Sequence, residues 1–181
     1  LEWDAIEAAV DDLQPELVPW TRWCHAQPAN IRLPCGDWVA CDRGAEQGDP
    51  LGPAYCALTL VKCARAGKDA VEKLGGWVWD AWYMDDGQVI MAPELVDPFL
   101  PTLDAEMARI GATRGAGPAV KSVARVLGPA ATCAALGDTW ATDYVRASCR
   151  VPDPASPLEV PGIRLGAPLE EQLAEAVAAT S

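Results

Sequence analysis

A run of bulky residues, Trp77-Val78-Trp79-Asp80-Ala81-Trp82-Tyr83-Met84, breaks at Asp85-Asp86-Gly87 before Gln88-Val89-Ile90-Met91 resumes. Apolar stretches on either side of an Asp-Gly signal predict a strand, a tight turn at Asp85-Asp86-Gly87 and a second antiparallel strand. Adjacent carboxylates repel each other, so such a turn is comfortable in water or beside a cation. Two of them at a hairpin tip suit Mg²⁺, which takes one or two carboxylates and fills its shell with water and phosphate oxygens. A plain Asp-Gly turn fits the same residues. The rest of the chain has to separate the two.

Helices surround that unit. Ile6, Val10 and Leu13 fall on one face of a helix predicted over Trp3 to Leu13, with Asp4 in its first turn and Pro15 ending it. Leu17 to Cys24 predicts a short helix, closed by Pro28. Ile31 to Leu33 and Trp38 to Cys41 flank Pro34-Cys35-Gly36-Asp37, a second hairpin signature. After a loop, Pro53 suits the first position of a helix running to about Ala66. Leu95, Phe99, Leu103, Met107 and Ile110 are in register for a strongly amphipathic helix. Lys121 to Leu127 reads as strand-like, Ala130 to Arg150 gives no clear period, and Val151 to Pro157 carries three prolines, as a linker would. Glu159 to Leu165 is a last candidate strand and Leu169 to Ala178 a last candidate helix. Helices interspersed with hairpins predict an α+β class.

Composition narrows the chemistry. The 181 residues suffice for one domain with a real core, or a piece of a larger one. No initiator methionine is present and the start, Leu1-Glu2-Trp3-Asp4, is not a signal peptide, so an excised piece is expected. No stretch is long and apolar enough to span a bilayer, and no membrane partner is expected. The net charge of −12 argues against strong phosphate binding by the chain as a whole. One strip departs from this: Arg109, Arg114, Lys121 and Arg125 occur without an acid among residues 109–125, whereas Glu159, Glu170, Glu171 and Glu175 mark the last segment. Such a strip suits a nucleic-acid backbone or a solvated connection. The seven cysteines form no Cys-x-x-Cys pair and there is one histidine, which excludes the usual zinc sites. An odd cysteine count implies reduced thiols and an intracellular setting. Cys24-His25 lacks a third member and is not expected to act as a thiolate–imidazole pair.

In order along the chain, these elements resemble motifs B to E of a reverse transcriptase of the non-LTR retrotransposon kind. Arg43-Gly-Ala-Glu-Gln-Gly-Asp-Pro-Leu-Gly-Pro53 resembles the family's Gly-x-x-Gln-Gly-Asp-Pro-Leu-Ser-Pro, with Gly52 in place of serine. Tyr83-Met-Asp-Asp86 matches the Tyr-x-Asp-Asp box of motif C. The amphipathic helix and Lys121-Ser122 look like motif D, and Val160 to Pro168 looks like motif E, the primer grip. Pro15 to Cys24 resembles the spacer between motifs A and B. The order of the boxes makes the likeness more specific than any one of them.

The resemblance implies an incomplete palm subdomain, an antiparallel sheet packed on helices, divided as 1–42 (spacer), 43–66 (motif B), 77–92 (motif C), 93–127 (motif D), 158–168 (motif E) and 169–181 (start of a thumb). It implies an RNA-directed DNA polymerase using Mg²⁺ or Mn²⁺, with an RNA template, a DNA primer and dNTPs as partners and a nuclear site of action. Asp85 and Asp86 would hold metal, and Lys121 would serve the pyrophosphate leaving group. Gln47, Gly48, Tyr83 and Met84 would meet nucleotide and template, and Gly162, Leu165 and Gly166 would form the primer grip. Gly87 and Gly48 would leave room for close approach of a backbone. The motif A aspartate would precede Leu1, so residues 1–181 alone are expected to be inactive and the hairpin to keep an uncovered edge. A decayed or co-opted palm acting as a binding or structural module is the alternative.

Overall fold

The computed structural model describes residues 1–45, 49–115, 121–127, 133, 135–136, 139–152, 158–160 and 163–165. It is an α+β structure of two compact units, Leu1–Val120 and Lys121–Ser181. In the first, α1 (Trp3–Leu13) is followed by a 3₁₀ turn at Pro15–Leu17 and by α2 (Val18–Cys24). Strands β1 (Ala29–Arg32) and β2 (Trp38–Cys41) pair antiparallel, Ala29 opposite Cys41 and Arg32 opposite Trp38. Ile31, Trp38 and Val39 stay exposed on this hairpin.

Helix α3 (Gly52–Glu72) is the axis of the unit. Tyr55 packs on one side with Ile6, Val10 and Val18. Leu60, Cys63 and Val71 pack on the other with Val78, Phe99, Leu103 and Met107. The helix runs six residues past the end expected at Ala66. Gly67, just past that expected end, makes a contact: a Cβ there would come within 2.9 Å of the Phe99 ring. Glycine lets α4 (Val96–Arg109) approach α3, and packing outweighs its low helix propensity. The predicted apolar register of α4 holds: Phe99, Leu103 and Met107 are buried, with Leu95 and Ile110 packed against the same core.

Strands β3 (Val78–Tyr83) and β4 (Asp86–Met91) form the second hairpin. Val78 lies opposite Met91, Asp80 opposite Val89 and Trp82 opposite Gly87. Side chains alternate across a strand, so these six share the inner face, on α3 and α4. Trp79, Tyr83 and Ile90 fall on the exposed outer face. Among the described residues no third strand joins this ribbon, and both of its outer edges lack a strand partner.

In the second unit the strand-like reading of Lys121 to Leu127 is corrected. Only Val123 pairs, in an isolated parallel bridge to Arg150, with the Arg150 amide donating to the Ser122 carbonyl at 2.8 Å. The stretch without a clear period contains α5 (Asp143–Ser148), whose amide at Val145 donates to the Thr142 hydroxyl. The single strand expected over Glu159 to Leu165 is two, β5 (Leu158–Val160) and β6 (Ile163–Leu165), paired antiparallel. Pro161 and Gly162 between them are turn formers, a signal the one-strand reading passed over. The helix expected over Leu169 to Ala178 lies outside the described residues, as does most of the proline-rich 151–157 segment.

Candidate functional site

The tip of the β3–β4 hairpin is offset by one residue from the predicted turn. Tyr83 pairs with Asp86, so Met84 and Asp85 make the turn and Asp86-Gly87 opens β4. Met84 is forced to a φ of 52°, a conformation bulky side chains rarely adopt. The reason lies in the pair next to the one that closes the turn, Trp82 and Gly87. Trp82 places its indole over Gly87, and a Cβ at position 87 would collide with that ring. Glycine is needed opposite the tryptophan, so the Asp-Gly pair is withdrawn from the turn. The room expected at Gly87 for an approaching nucleic acid is filled by Trp82.

This register separates the two carboxylates. Asp86 lies on the outer face with Tyr83, which is 73% exposed, while Asp85 occupies the turn itself. Met84 and both aspartates are exposed as well. Asp85 is within electrostatic reach of Cys56, near the start of α3. Burial pushes that thiol's pKa up first, and the Asp85 carboxylate raises it further. Cys56 packs against the same core as Trp82 and Val89 of the hairpin.

Gln47 and Gly48 lie outside the described residues, but both ends of their loop are anchored. The Gly44 amide donates to the Leu1 carbonyl at 2.7 Å, and the Trp3 indole donates to the Gly44 carbonyl at 2.9 Å. At the far end the Leu51 amide donates to Asp49 Oδ1 at 2.8 Å, an Asx turn that leads into α3. Lys121 is exposed at the start of the second unit. Leu165 lies on β6 opposite Leu158, and Gly162 and Gly166 are outside the described residues.

The basic strip is partly neutralised. Arg109 pairs with Glu106 at 2.6 Å, and Arg114 holds both oxygens of Asp104, each at 2.6 Å. Acids on the preceding turns of α4, outside the sequence window that defined the strip, offset its charge. At Cys24 slight burial and the Asp49 carboxylate raise the thiol's pKa, the direction opposite to that of an activated thiolate.

The contacts of two groups escaped the sequence reading. His25 stacks on Trp3, with ring centroids 4.9 Å apart and planes 8° from parallel, and meets Tyr55 at 5.7 Å. Asp80 accepts from Lys68 Nζ at 3.3 Å and from Trp82 Nε1 at 3.0 Å. The signal for Asp80 was available, since alternation from Val78 through Trp82 sets a carboxylate on the apolar face.

Among the described residues no three His, Cys, Asp or Glu side chains group closely enough to cage a metal. Two exposed carboxylates are nevertheless the right donors for a Mg²⁺ ion that brings water and phosphate oxygens with it. No helix among the described residues is long and apolar enough to cross a membrane. No protein-family model, curated protein or solved structure matches the chain.

Proposed function

We propose that the chain is the palm portion of an RNA-directed DNA polymerase of the non-LTR retroelement kind. The observation that supports this reading is the packing of Trp82 and Val89, from the Tyr-x-Asp-Asp hairpin, and of Cys56, from the first turns of the helix that follows the Gln-Gly-Asp-Pro loop, against one apolar core. Such closeness would let the two boxes serve one site.

In this reading the primer 3′-hydroxyl attacks the α-phosphorus of a dNTP, a P–O bond forms, and the bond to the leaving pyrophosphate breaks. Mg²⁺ or Mn²⁺ held by Asp85 and Asp86 would neutralise charge on the attacking and leaving oxygens. Tyr83 and Met84, exposed beside the carboxylates, would support the primer end. Gln47 and Gly48 would touch the templating pair, with an amide that both donates and accepts. Lys121 would protonate or neutralise pyrophosphate, and Gly162, Leu165 and Gly166 would grip the primer.

Primer extension on an RNA template tests the reading. Residues 1–181 alone should give no Mg²⁺-dependent synthesis, because two carboxylates from one turn leave a two-metal site short of ligands. The chain extended upstream to a strand bearing the third carboxylate should extend the primer, and Asp85→Ala should lower its rate by about 10³-fold or more. An extended chain that binds primer–template but never extends it would favour the second reading, a co-opted binding module, to which the net charge of −12 is better suited.

A further inference from the structure

Asp80 is a carboxylate on the packed face of β3, and both of its oxygens are engaged, Oδ1 by Lys68 of α3 and Oδ2 by the Trp82 indole N–H. Its side chain is 22% exposed and that of Lys68 is 38% exposed. The indole is one of the largest side chains on this face, and a hydrogen bond to its N–H selects one ring orientation among several. In that orientation the six-membered ring covers Gly87, where no Cβ would fit. Trp82 and Gly87 are paired across the ribbon and directly flank Tyr83 and Asp86, the pair that closes the turn. Ring and glycine thus fix the backbone on both sides of the carboxylate tip.

Lys68 joins this arrangement to α3. The hairpin therefore has a side-chain attachment to α3 at Lys68–Asp80, and Cys56 near the head of that helix packs against the same core as Trp82 and Val89.

We propose that Lys68, Asp80 and Trp82 act together as a positioning clamp that seats Gly87 and sets the Asp85–Asp86 tip against α3. The proposal rests on the reading of those two carboxylates as metal ligands. None of the three clamp residues touches the reacting atoms; they act through the backbone of the turn.

NMR of isotopically labelled residues 1–181 tests it, with Mn²⁺ alone as the probe. In the wild-type chain the Gly87 α-protons should be shifted upfield by the Trp82 ring, and Mn²⁺ should broaden the amide signals of residues 83–87. Asp80→Ala should abolish the Gly87 shift and weaken Mn²⁺ binding by roughly 10–100-fold, as loss of a supporting partner does at metal sites. Asp80→Asn keeps an oxygen for the indole N–H and should retain the Gly87 shift. Unchanged α4 amide signals would show that the fold persists. Should Asp80→Ala lose them, Lys68→Met asks the same question from the helix side. An unchanged Gly87 shift in Asp80→Ala, or a lost shift with unchanged Mn²⁺ affinity, overturns the clamp. A wild-type chain with the Gly87 shift but no Mn²⁺ broadening sinks the metal reading instead; the clamp is then decided by whether Asp80→Ala moves the Asp85 and Asp86 amide signals.

Discussion

His25 is the chain's one histidine, and it lies flat on Trp3 with Tyr55 tilted against it. Burial lowers its pKa from the usual 6.5, and the carboxylates of Asp49 and Glu7 offset this only in part. Below pH 6.5 or so the unfolded chain therefore takes up a proton that the folded chain resists, and folding stability falls with pH. The contribution is fully present above that value and is lost as pH drops toward the folded one. His25→Phe keeps a flat ring without a titrating proton. Its urea midpoint should change less than that of the wild type between about pH 7.5 and about pH 5.5. An equal change in both proteins would remove His25 from the account. At this scale the sequence was informative about Asp85 and Asp86, whose pairing in a turn is a local pattern. It was silent on the stacking of His25, because the partners that define its surroundings come from α1 and α3.

Elements were legible where a period decided them. The α4 register emerged from apolar spacing alone, and both hairpins of the first unit from their turn residues. Boundaries were lost where a glycine had a tertiary reason. The helix expected to stop at about Ala66 continues through Gly67, against which the Phe99 ring packs, and Asp85-Asp86-Gly87 reads as the turn until Trp82 is seen to need that glycine. The first case gives a sharp expectation. Gly67→Ala should gain roughly 1 kcal/mol of helix propensity, but crowding a well-packed ring costs about 1–3 kcal/mol. Phe99 is 1% exposed and has nowhere to go, so a net loss of stability is expected in denaturant melts. In a Phe99→Leu background the same substitution should turn neutral or stabilising. A loss of equal size in both backgrounds would disprove the contact as its cause.

At the scale of the whole molecule, α3 contributes to both apolar clusters, through Tyr55 to one and through Leu60, Cys63 and Val71 to the other. Both clusters lie within Leu1–Val120. Residues 1–120 expressed alone should therefore unfold in one cooperative transition with native helical circular dichroism, whereas two separate steps would mean that α3 does not couple its two sides. The class of the fold could be read from the alternation of helices and hairpins. The division into units could not, since it depends on which residues meet across the chain. The first three residues have a mechanical consequence of their own. Leu1 and Trp3 hold Gly44 by both its amide and its carbonyl, and the Glu2 amide holds the Ile110 carbonyl at 2.9 Å. A pull on the start of the chain would travel through those three bonds as through a lever, lifting the loop ahead of α3 and the end of α4 together.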